Sequence, residues 1–228
     1  MSAIFDRKLY RYLEELSQNN NRGWFNDNKD RYINDVRDRL SQFIVEMSPK
    51  LAKISRHIVA DPRPMGGSMF RIYRDTRFSK DKTPYKTHAA VHFRHVVEKD
   101  VHGPGLYFHI GPQGNSVGGG IWHPPTPIVR NIRLYIDDHQ QQWRAITEAP
   151  TFIELFGEVQ GDRLKRVPRE FDADHPLGDT LRLKDFYAMK SMSRKDVTAT
   201  GLIEEVTATY AAISPLMSFL SKAVGLSW

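Results

Sequence analysis

The sequence contains no cysteine. This excludes a disulfide-stapled scaffold, a thiol nucleophile, and zinc or iron–sulfur centres held by cysteine. No apolar run approaches the roughly 18 residues that a membrane-spanning helix needs. The first sixteen residues carry charges throughout and lack the apolar core of a signal peptide. We therefore expect a soluble, cytoplasmic protein with no membrane partner.

Signatures of common ligand sites are also missing. There is no Walker loop, RNP motif, zinc finger or clear helix-turn-helix, and no HExxH motif. The glycines at 118–120 lack the spacing of a dinucleotide-binding loop. We accordingly predict no cofactor and no metal site, and the oligomeric state stays open.

The positive charge is concentrated in the middle of the chain. The 228 residues carry a net charge of +6, with 40% hydrophobic and 26% charged residues, a balance typical of globular proteins. Residues 71–86 alone contain six basic and two acidic side chains, whereas residues 124–228 are slightly acidic. Such a concentration favours an anionic partner.

Apolar periodicity predicts helices at both ends of the chain. Phe5 to Leu16 follows one helical face, and a longer amphipathic helix runs from Phe25 to Met47, with a break or a kink expected at Pro49. Asn19 to Asn21 should end the first helix and cap the next. Further helices are expected around 128–136, 143–146 and 150–156, and a last one from Leu202 to Met217 with a kink at Pro215.

The centre of the chain has the period of two that is typical of strands. Strands are predicted at 68–74, 87–95, 106–110 and 117–122, with further short strands at 164–167 and 185–192. With no linker or repeat in between, the order predicts a single α+β domain over residues 1–228. A central antiparallel sheet would carry the N-terminal helices and a C-terminal helix packed on it.

The densest motif is FRIYRDTRFSKDKTPYK at 70–86. Arginine forks and lysine ammonium groups bind phosphate or carboxylate, and interleaved aromatic rings can stack on a planar ligand. Its candidate ligand-binding residues are Arg71, Tyr73, Arg74, Arg77, Ser79, Lys80, Lys82, Tyr85 and Lys86. The simpler alternative is a solvated, charged hairpin in which Asp75 and Asp81 pair with neighbouring cations. In a regular strand Arg71 and Arg74 point to opposite faces, so a shared site needs a bulge or a strand end.

Histidines gather in the middle third of the chain, residues 65–123. Six of the nine lie there: His88, His92, His95, His102, His109 and His123. His88 and His92 share a strand face, and Tyr107 and His109 are expected on a neighbouring strand. Together with Asp75 or Asp81, the residues His88, His92 and His109 are candidate acid–base catalysts, although histidines on a half-solvated sheet face are more often simple polar residues.

Two further segments are candidates for the same site. Gly118 to Gly120 indicate a bulge or a close approach by backbone or ligand, with Trp122 as a ligand-binding candidate. The alternative is a sheet edge packed under a helix, with Trp122 filling the core. Arg182 and Lys184 would extend a cationic pocket if their segment returns to the sheet, or else they protect an exposed edge.

The chain resembles a family of uncharacterised conserved proteins, found in bacteria and fungi and classified as a domain of unknown function. The matching segments are 21–25 (NRGWF), 70–86, 119–124 (GGIWHP) and 181–187 (LRLKDFY). The family pattern usually has Glu where this chain has Gly23. The resemblance implies a single-domain member of that family and brings no reaction, cofactor or partner with it.

The residues therefore predict an anion-binding site on the central motif, for a nucleotide, another phosphorylated small molecule or nucleic acid. The first alternative is a hydrolase or transferase that uses Asp and His groups beside the motif. The second is an interaction module that docks an acidic partner on the basic loop.

Overall fold

A five-stranded antiparallel sheet forms the centre of the protein. The computed structural model describes residues 3–97 and 103–228. The strands are β1 (Ile58–Val59), β2 (Ala89–His95), β3 (Gly105–Gly111), β4 (Gly114–Ile121) and β5 (Phe186–Met192). They lie side by side in the order β1-β2-β3-β4-β5. The predicted α+β class with an antiparallel sheet is confirmed.

Helices flank the strands in sequence. They are α1 (Arg7–Gln18), α2 (Arg22–Asp27), α3 (Lys29–Arg31), α4 (Asp38–Ile54), α5 (Thr126–Asp138), α6 (Gln140–Thr147), α7 (Pro150–Phe156), α8 (Gly178–Leu181), α9 (Arg194–Val197) and α10 (Leu202–Ala223). A π-helical turn, Tyr32–Arg37, joins α3 to α4. No helix within the described ranges combines the length and apolarity needed to cross a membrane.

The two faces of the sheet differ because side chains alternate along each strand. On one face Val91, Phe108 and Val117 lie opposite each other in register and are fully buried. Helices α4 and α10 contact this face, and it forms the hydrophobic core. On the other face His92 lies opposite Tyr107, and Tyr107 opposite Gly118. This second face is called the open face below.

The first two helices begin at side-chain caps, in the part of the chain where the sequence predicts helices. Asp6 accepts a hydrogen bond from the Lys8 amide at 2.7 Å and begins α1. Asn21 accepts one from the Trp24 amide at 3.0 Å and begins α2. The expected break at Pro49 is wrong: Pro49 lies inside α4 and is exposed. The helical run is instead interrupted earlier, at Asn28 and at the π-helical turn.

Two predicted strands are also wrong. Residues 68–74 run alongside the sheet with isolated bridges at Met69 and Tyr73, since this segment pairs first with β2 and then with its own returning arm at Tyr85. Residues 164–167 form no strand, and a single bridge joins the preceding Arg163 to Leu183. The predicted strand at 185–192 is present as β5 and pairs with β4.

Candidate functional site

A cavity of about 440 Å³ lies on the open face of the sheet. Its walls come from β2, β3, β4 and β5 and from the arms of the basic motif. The lining residues are Phe70, Lys86, His88, His92, Gly105, Tyr107, Ser116, Gly119, Gly120, Trp122, Tyr187 and Met189. Cavities of roughly 300–1,000 Å³ are typical small-molecule sites.

Strand register brings the cavity side chains together. Because β2, β3 and β4 are antiparallel neighbours, His92 meets Tyr107, and Ser116 meets His109 across the strands. Gly105 leaves the room that the His92 ring occupies, because a Cβ atom there would lie 2.0 Å from the His92 Nε2 atom. The predicted placement of Tyr107 and His109 on a strand beside that of His92 is confirmed, whereas His88 lies one residue before β2.

The glycines at 118–120 let neighbouring elements of the fold approach the backbone of β4 closely. A Cβ atom on Gly118 would lie 2.0 Å from the Ala188 carbonyl oxygen of β5. One on Gly119 would lie 3.1 Å from the Met217 sulfur of α10. The sheet-edge alternative is wrong, because β4 is an interior strand between β3 and β5.

Trp122 follows β4 directly. It does not fill the core: its side chain is 52% exposed and forms part of the cavity wall. The residue is exposed because the pairing of β4 with β5 ends one position earlier, at Ile121. Its ring packs on that of His123, with the centroids 4.1 Å apart.

Lys86 is the one lysine or arginine among the lining residues. Its ammonium group donates a hydrogen bond to the Arg71 carbonyl oxygen at 3.1 Å and lies 5.1 Å from the centroid of the Phe70 ring. Within residues 3–97 and 103–228, no carboxylate forms an ion pair with it, and none lines the cavity. Burial, followed by the charge of Arg71, lowers the Lys86 pKa. The cavity thus contains a cation for which the described part of the chain supplies no compensating acid.

His88 and His109 form a close pair at one side of the cavity. Their ring centroids lie 4.6 Å apart, and the Tyr107 hydroxyl lies 3.2 Å from the His109 Nδ1 atom. Burial, helped by His109 and Lys86, lowers the His88 pKa to about 4. Burial also lowers the pKa of His109 and raises that of Tyr107 to about 12. At neutral pH these three groups are uncharged.

The tip of the basic motif is internally paired. Arg77 binds Asp75 at 2.7 Å, and Arg74 binds both Asp81 and the Thr83 hydroxyl. The Arg77 hydrogen bonds lower the Asp75 pKa to about 2, and the Thr83 amide and then Arg74 do the same for Asp81. Neither acid lines the cavity that holds His88 and His92.

The other motif residues are distributed around this loop. Lys82 donates to the Thr76 carbonyl oxygen at 2.8 Å. Arg71 and Lys80 are exposed, and Ser79 is half-buried; none of the three lines the cavity. The cations of the motif therefore do not converge on one point.

Another part of the motif lines a second, smaller cleft of about 350 Å³. Arg74, Tyr73 and Tyr85 line it together with Arg22. Tyr85 is buried and stacks on Phe25 with a centroid separation of 4.1 Å, so its main role is packing. Arg74 and Lys86 thus belong to different clefts.

Arg182 and Lys184 are paired with acidic residues outside the cavity. Arg182 binds Asp179 at 2.6 Å, and Lys184 lies 3.8 Å from Asp162. Neither lines the cavity, whereas Tyr187, three residues further on, does. The segment returns to the sheet as predicted, but the residue that it contributes to the cavity wall is the aromatic Tyr187 and neither of the two cations.

Sequence reasoning missed a contact between His123 and Asp185. The Asp185 carboxylate is 3% exposed and lies 3.0 Å from the His123 Nδ1 atom. It also accepts hydrogen bonds from the backbone amides of His123 at 2.6 Å and Asp162 at 3.1 Å. The His123 ring packs on Trp122 with centroids 4.1 Å apart. The pairing of β4 with β5 ends at Ile121 and Phe186, so the residues that follow leave the sheet side by side.

Phe70, Ser116, Tyr187 and Met189 were missed as well, since only cross-strand register and the path of the motif bring them to the cavity. Of the predicted site residues, Lys86, His88, His92 and Trp122 do line it. His102 lies outside the described residues. Among the described residues, no three His, Asp or Glu side chains are grouped so that they could hold a metal ion.

The fold and the cavity together define an α+β protein whose antiparallel sheet carries helices on one face and a ligand-sized cavity on the other. The chain belongs to the family described as conserved hypothetical protein DUF2461, whose model matches residues 8–219. The resemblance noted from the motifs is thereby confirmed at the level of the family. Searches of curated proteins and of solved structures found no match.

Proposed function

We propose that this protein binds a small anionic ligand, carrying a phosphate or carboxylate group, in the cavity on the open face. The observation that carries the proposal is the position of Lys86, a partly buried cation on a cavity wall to which the described residues contribute no acid. A partly buried charge without a counter-charge is costly, and a ligand anion would offset that cost through a charge-assisted hydrogen bond.

The walls support a ligand with a planar part. Phe70, Trp122 and Tyr187 present aromatic surface, and the uncharged His88 and Tyr107 offer hydrogen bonds beside it. Apolar walls with a few polar groups are typical of small-molecule sites. A nucleotide or an aromatic carboxylate has this combination of a flat ring and an anion.

The geometry gives less support to a nucleic-acid strand. Such a partner needs a run of free cations that track phosphates. Arg74 and Arg77 are instead paired with Asp81 and Asp75. A concave site with a single cation favours a small ligand.

Calorimetric titration tests the proposal. The panel comprises pyrophosphate, adenosine monophosphate, a sugar phosphate and an aromatic carboxylate. We expect at least one to bind the wild-type protein, and Lys86→Met to weaken that binding roughly tenfold or more. Lys82→Met is the matched control, because it removes the same charge from the same motif outside the cavity.

Two results would contradict the proposal: no binding of any panel anion at millimolar concentration, or equal weakening in both lysine variants. Single-stranded RNA and DNA oligonucleotides form a separate arm. Binding that falls steeply with salt and is lost in Lys82→Met would favour a nucleic-acid partner on the loop instead.

A further inference from the structure

A part of the basic motif that the cavity does not use lines the second cleft, of about 350 Å³. We propose that this cleft is a separate binding site, in which Arg22 and Arg74 hold the phosphate group of a phosphate monoester. The inference goes beyond the proposed function, because the cleft and the cavity have no described lining residue in common.

The walls of the second cleft are rich in hydrogen-bond donors and, among the described residues, include no acid. Apart from Pro84, each lining residue carries a guanidinium, amide or hydroxyl group; these residues are Arg22, Asn26, Tyr73, Arg74, Thr76 and Tyr85. The two arginines are permanently charged. A phosphate monoester presents three terminal oxygens and about two negative charges, so it can use more of these donors than a carboxylate can.

Arg74 is held on one side and open on the other. Its Nη1 atom donates to the Asp81 carboxylate and to the hydroxyl and carbonyl oxygens of Thr83. Within residues 3–97 and 103–228, no hydrogen bond uses its Nε or Nη2 atom. These two atoms form one edge of the guanidinium fork, the arrangement that binds a phosphate through two parallel hydrogen bonds. Asp81 thus fixes the arginine and offsets part of its charge.

Arg22 brings the second cation to the cleft. It is the first residue of α2 and is exposed, and the described part of the chain gives its guanidinium group no hydrogen bond or ion pair. Its charge acts on the cleft wall: burial and then Tyr73 raise the pKa of Tyr85, and Arg22 opposes that rise. The guanidinium group therefore places positive charge beside the Tyr85 hydroxyl that no neighbouring acid neutralises among the described residues.

The cleft is preformed by contacts between two distant segments. The Asn20 side chain pairs with the Tyr85 backbone, donating to its carbonyl oxygen at 2.9 Å and accepting from its amide at 3.0 Å. Phe25 stacks on the Tyr85 ring with the centroids 4.1 Å apart, and a β-bridge joins Tyr73 to Tyr85. A ligand therefore meets walls that need little ordering, which lowers the entropic cost of binding.

Calorimetric titration with phenyl phosphate tests the site, and benzoate serves as the carboxylate that carries the same ring. Wild-type protein and Lys86→Met are both titrated, because Lys86→Met removes the cation of the cavity and leaves every residue of the cleft in place. We expect Lys86→Met to bind phenyl phosphate, and to bind it more tightly than benzoate. Adding Arg22→Gln to Lys86→Met should weaken the binding of phenyl phosphate roughly tenfold.

Arg7→Gln is the matched control for Arg22→Gln. Arg7 is exposed and begins α1 as Arg22 begins α2, and it lines neither the cavity nor the second cleft. Its replacement removes the same charge from the same helical position, so the affinity for phenyl phosphate should stay within about twofold.

Nitrogen NMR of the arginine side chains locates the ligand without relying on a variant of Arg74, which also holds the loop. Phenyl phosphate should shift the Nε–H signals of Arg22 and Arg74 in Lys86→Met and leave that of Arg7 in place. A field from a distant ligand would not select these two arginines, because charges separated by more than about 10 Å are screened at ordinary salt.

The pH dependence identifies the phosphate dianion. The second pKa of a phosphate monoester is about 6, and no histidine or acid is among the described lining residues. The adjacent Asp81 stays ionised, because the Thr83 amide and Arg74 lower its pKa to about 2. The affinity of Lys86→Met for phenyl phosphate should therefore rise between pH 5.5 and pH 7.5, whereas that for benzoate should not.

Two further probes distinguish the sources of the phosphate group. Glucose 6-phosphate represents a free phosphorylated small molecule, and a short phosphoserine peptide represents a modified side chain. The tighter of the two in Lys86→Met indicates the source, and binding of neither would overturn the inference.

Three other results would also overturn it: tighter binding of benzoate than of phenyl phosphate by Lys86→Met, equal losses in Arg22→Gln and Arg7→Gln, or Nε–H signals of Arg22 and Arg74 that phenyl phosphate does not move. None of them decides about the cavity, because cavity binding is judged by an anion that Lys86→Met weakens and cleft binding by one that Arg22→Gln weakens. Either site can therefore fail while the other stands.

Discussion

The imidazole rings of His88 and His109 lie 4.6 Å apart, and burial lowers the pKa of both. A proton on His88 would be repelled by the charge of Lys86 and by any proton on its partner. The pair therefore stays neutral over a range in which an exposed histidine would already be charged.

This depression predicts a loss of stability in mild acid. The unfolded chain protonates His88 near the ordinary histidine pKa of 6.5, whereas in the folded protein burial lowers the pKa of His88 to about 4. Below about pH 6.5 the unfolded state thus binds more protons, and the free energy of unfolding falls as the pH decreases towards 4. Urea denaturation at pH 7.5 and pH 5.0 should show a smaller fall in His88→Gln than in wild type. Ser116→Ala, which changes a cavity residue that does not titrate, should keep the wild-type fall; equal falls in all three proteins would contradict the prediction.

The loop acids should be dispensable for the cavity. Asp75 and Asp81 are held by Arg77 and Arg74 in an exposed loop and do not line the cavity. We expect Asp75→Asn and Asp81→Asn to bind a panel anion within about twofold of the wild-type affinity, less than the tenfold that one charged contact contributes. A loss as large as that in Lys86→Met, measured in the same titration, would instead place these acids in the site.

The close approach of β5 to β4 makes Gly118 sensitive. An alanine Cβ would lie 2.0 Å from a backbone oxygen of Ala188, which cannot move without shifting the strand. Gly118→Ala should lower the free energy of unfolding by about 1–3 kcal/mol. The control is Gly201→Ala, because nothing lies within 4 Å of its added Cβ, and its effect should stay within about 0.5 kcal/mol. Denaturant unfolding measures the free energy of unfolding of both variants. Equal losses in Gly118→Ala and Gly201→Ala would contradict the explanation by strand contact.

Pro49 should weaken the helix that contains it. It lies inside α4, where it lacks the amide proton that a helix interior uses. Removing a cost of about 3 kcal/mol, while giving up about 1 kcal/mol of restriction in the unfolded chain, predicts that Pro49→Ala stabilises the protein by about 2 kcal/mol. Pro150→Ala is the comparison, since Pro150 occupies the first turn of α7, where proline is tolerated. Thermal unfolding should show no gain for that variant, and a drop in stability for Pro49→Ala would contradict the reasoning.

Local patterns predicted the parts of the fold that depend on neighbouring residues. The alternation around His88 and His92 located β2, and the apolar spacing from Leu202 located α10. Caps such as Asn21 could be identified because the capping side chain and its target lie within one turn. The antiparallel sheet followed from the short strands joined by turns.

Features that depend on long-range pairing could not be predicted. His123 and Asp185 are separated by 62 residues, and only the register of β4 with β5 brings them together. The basic motif illustrates a different difficulty. Its composition indicated one anion site, but the two arms of the motif place Arg74 in the second cleft and Lys86 in the cavity. Residue types alone carry no information about these positions.

The contrast between the two sheet faces has a consequence for how members of this family can diverge. The helices on the core face, α4 and α10, come from the two ends of the chain. The cavity walls come from positions between Phe70 and Met189. Substitutions at Phe70, Ser116 or Met189 can reshape the cavity without changing the packed helices. Selection can therefore alter the shape and chemistry of the cavity while the hydrophobic core stays under its own separate constraint.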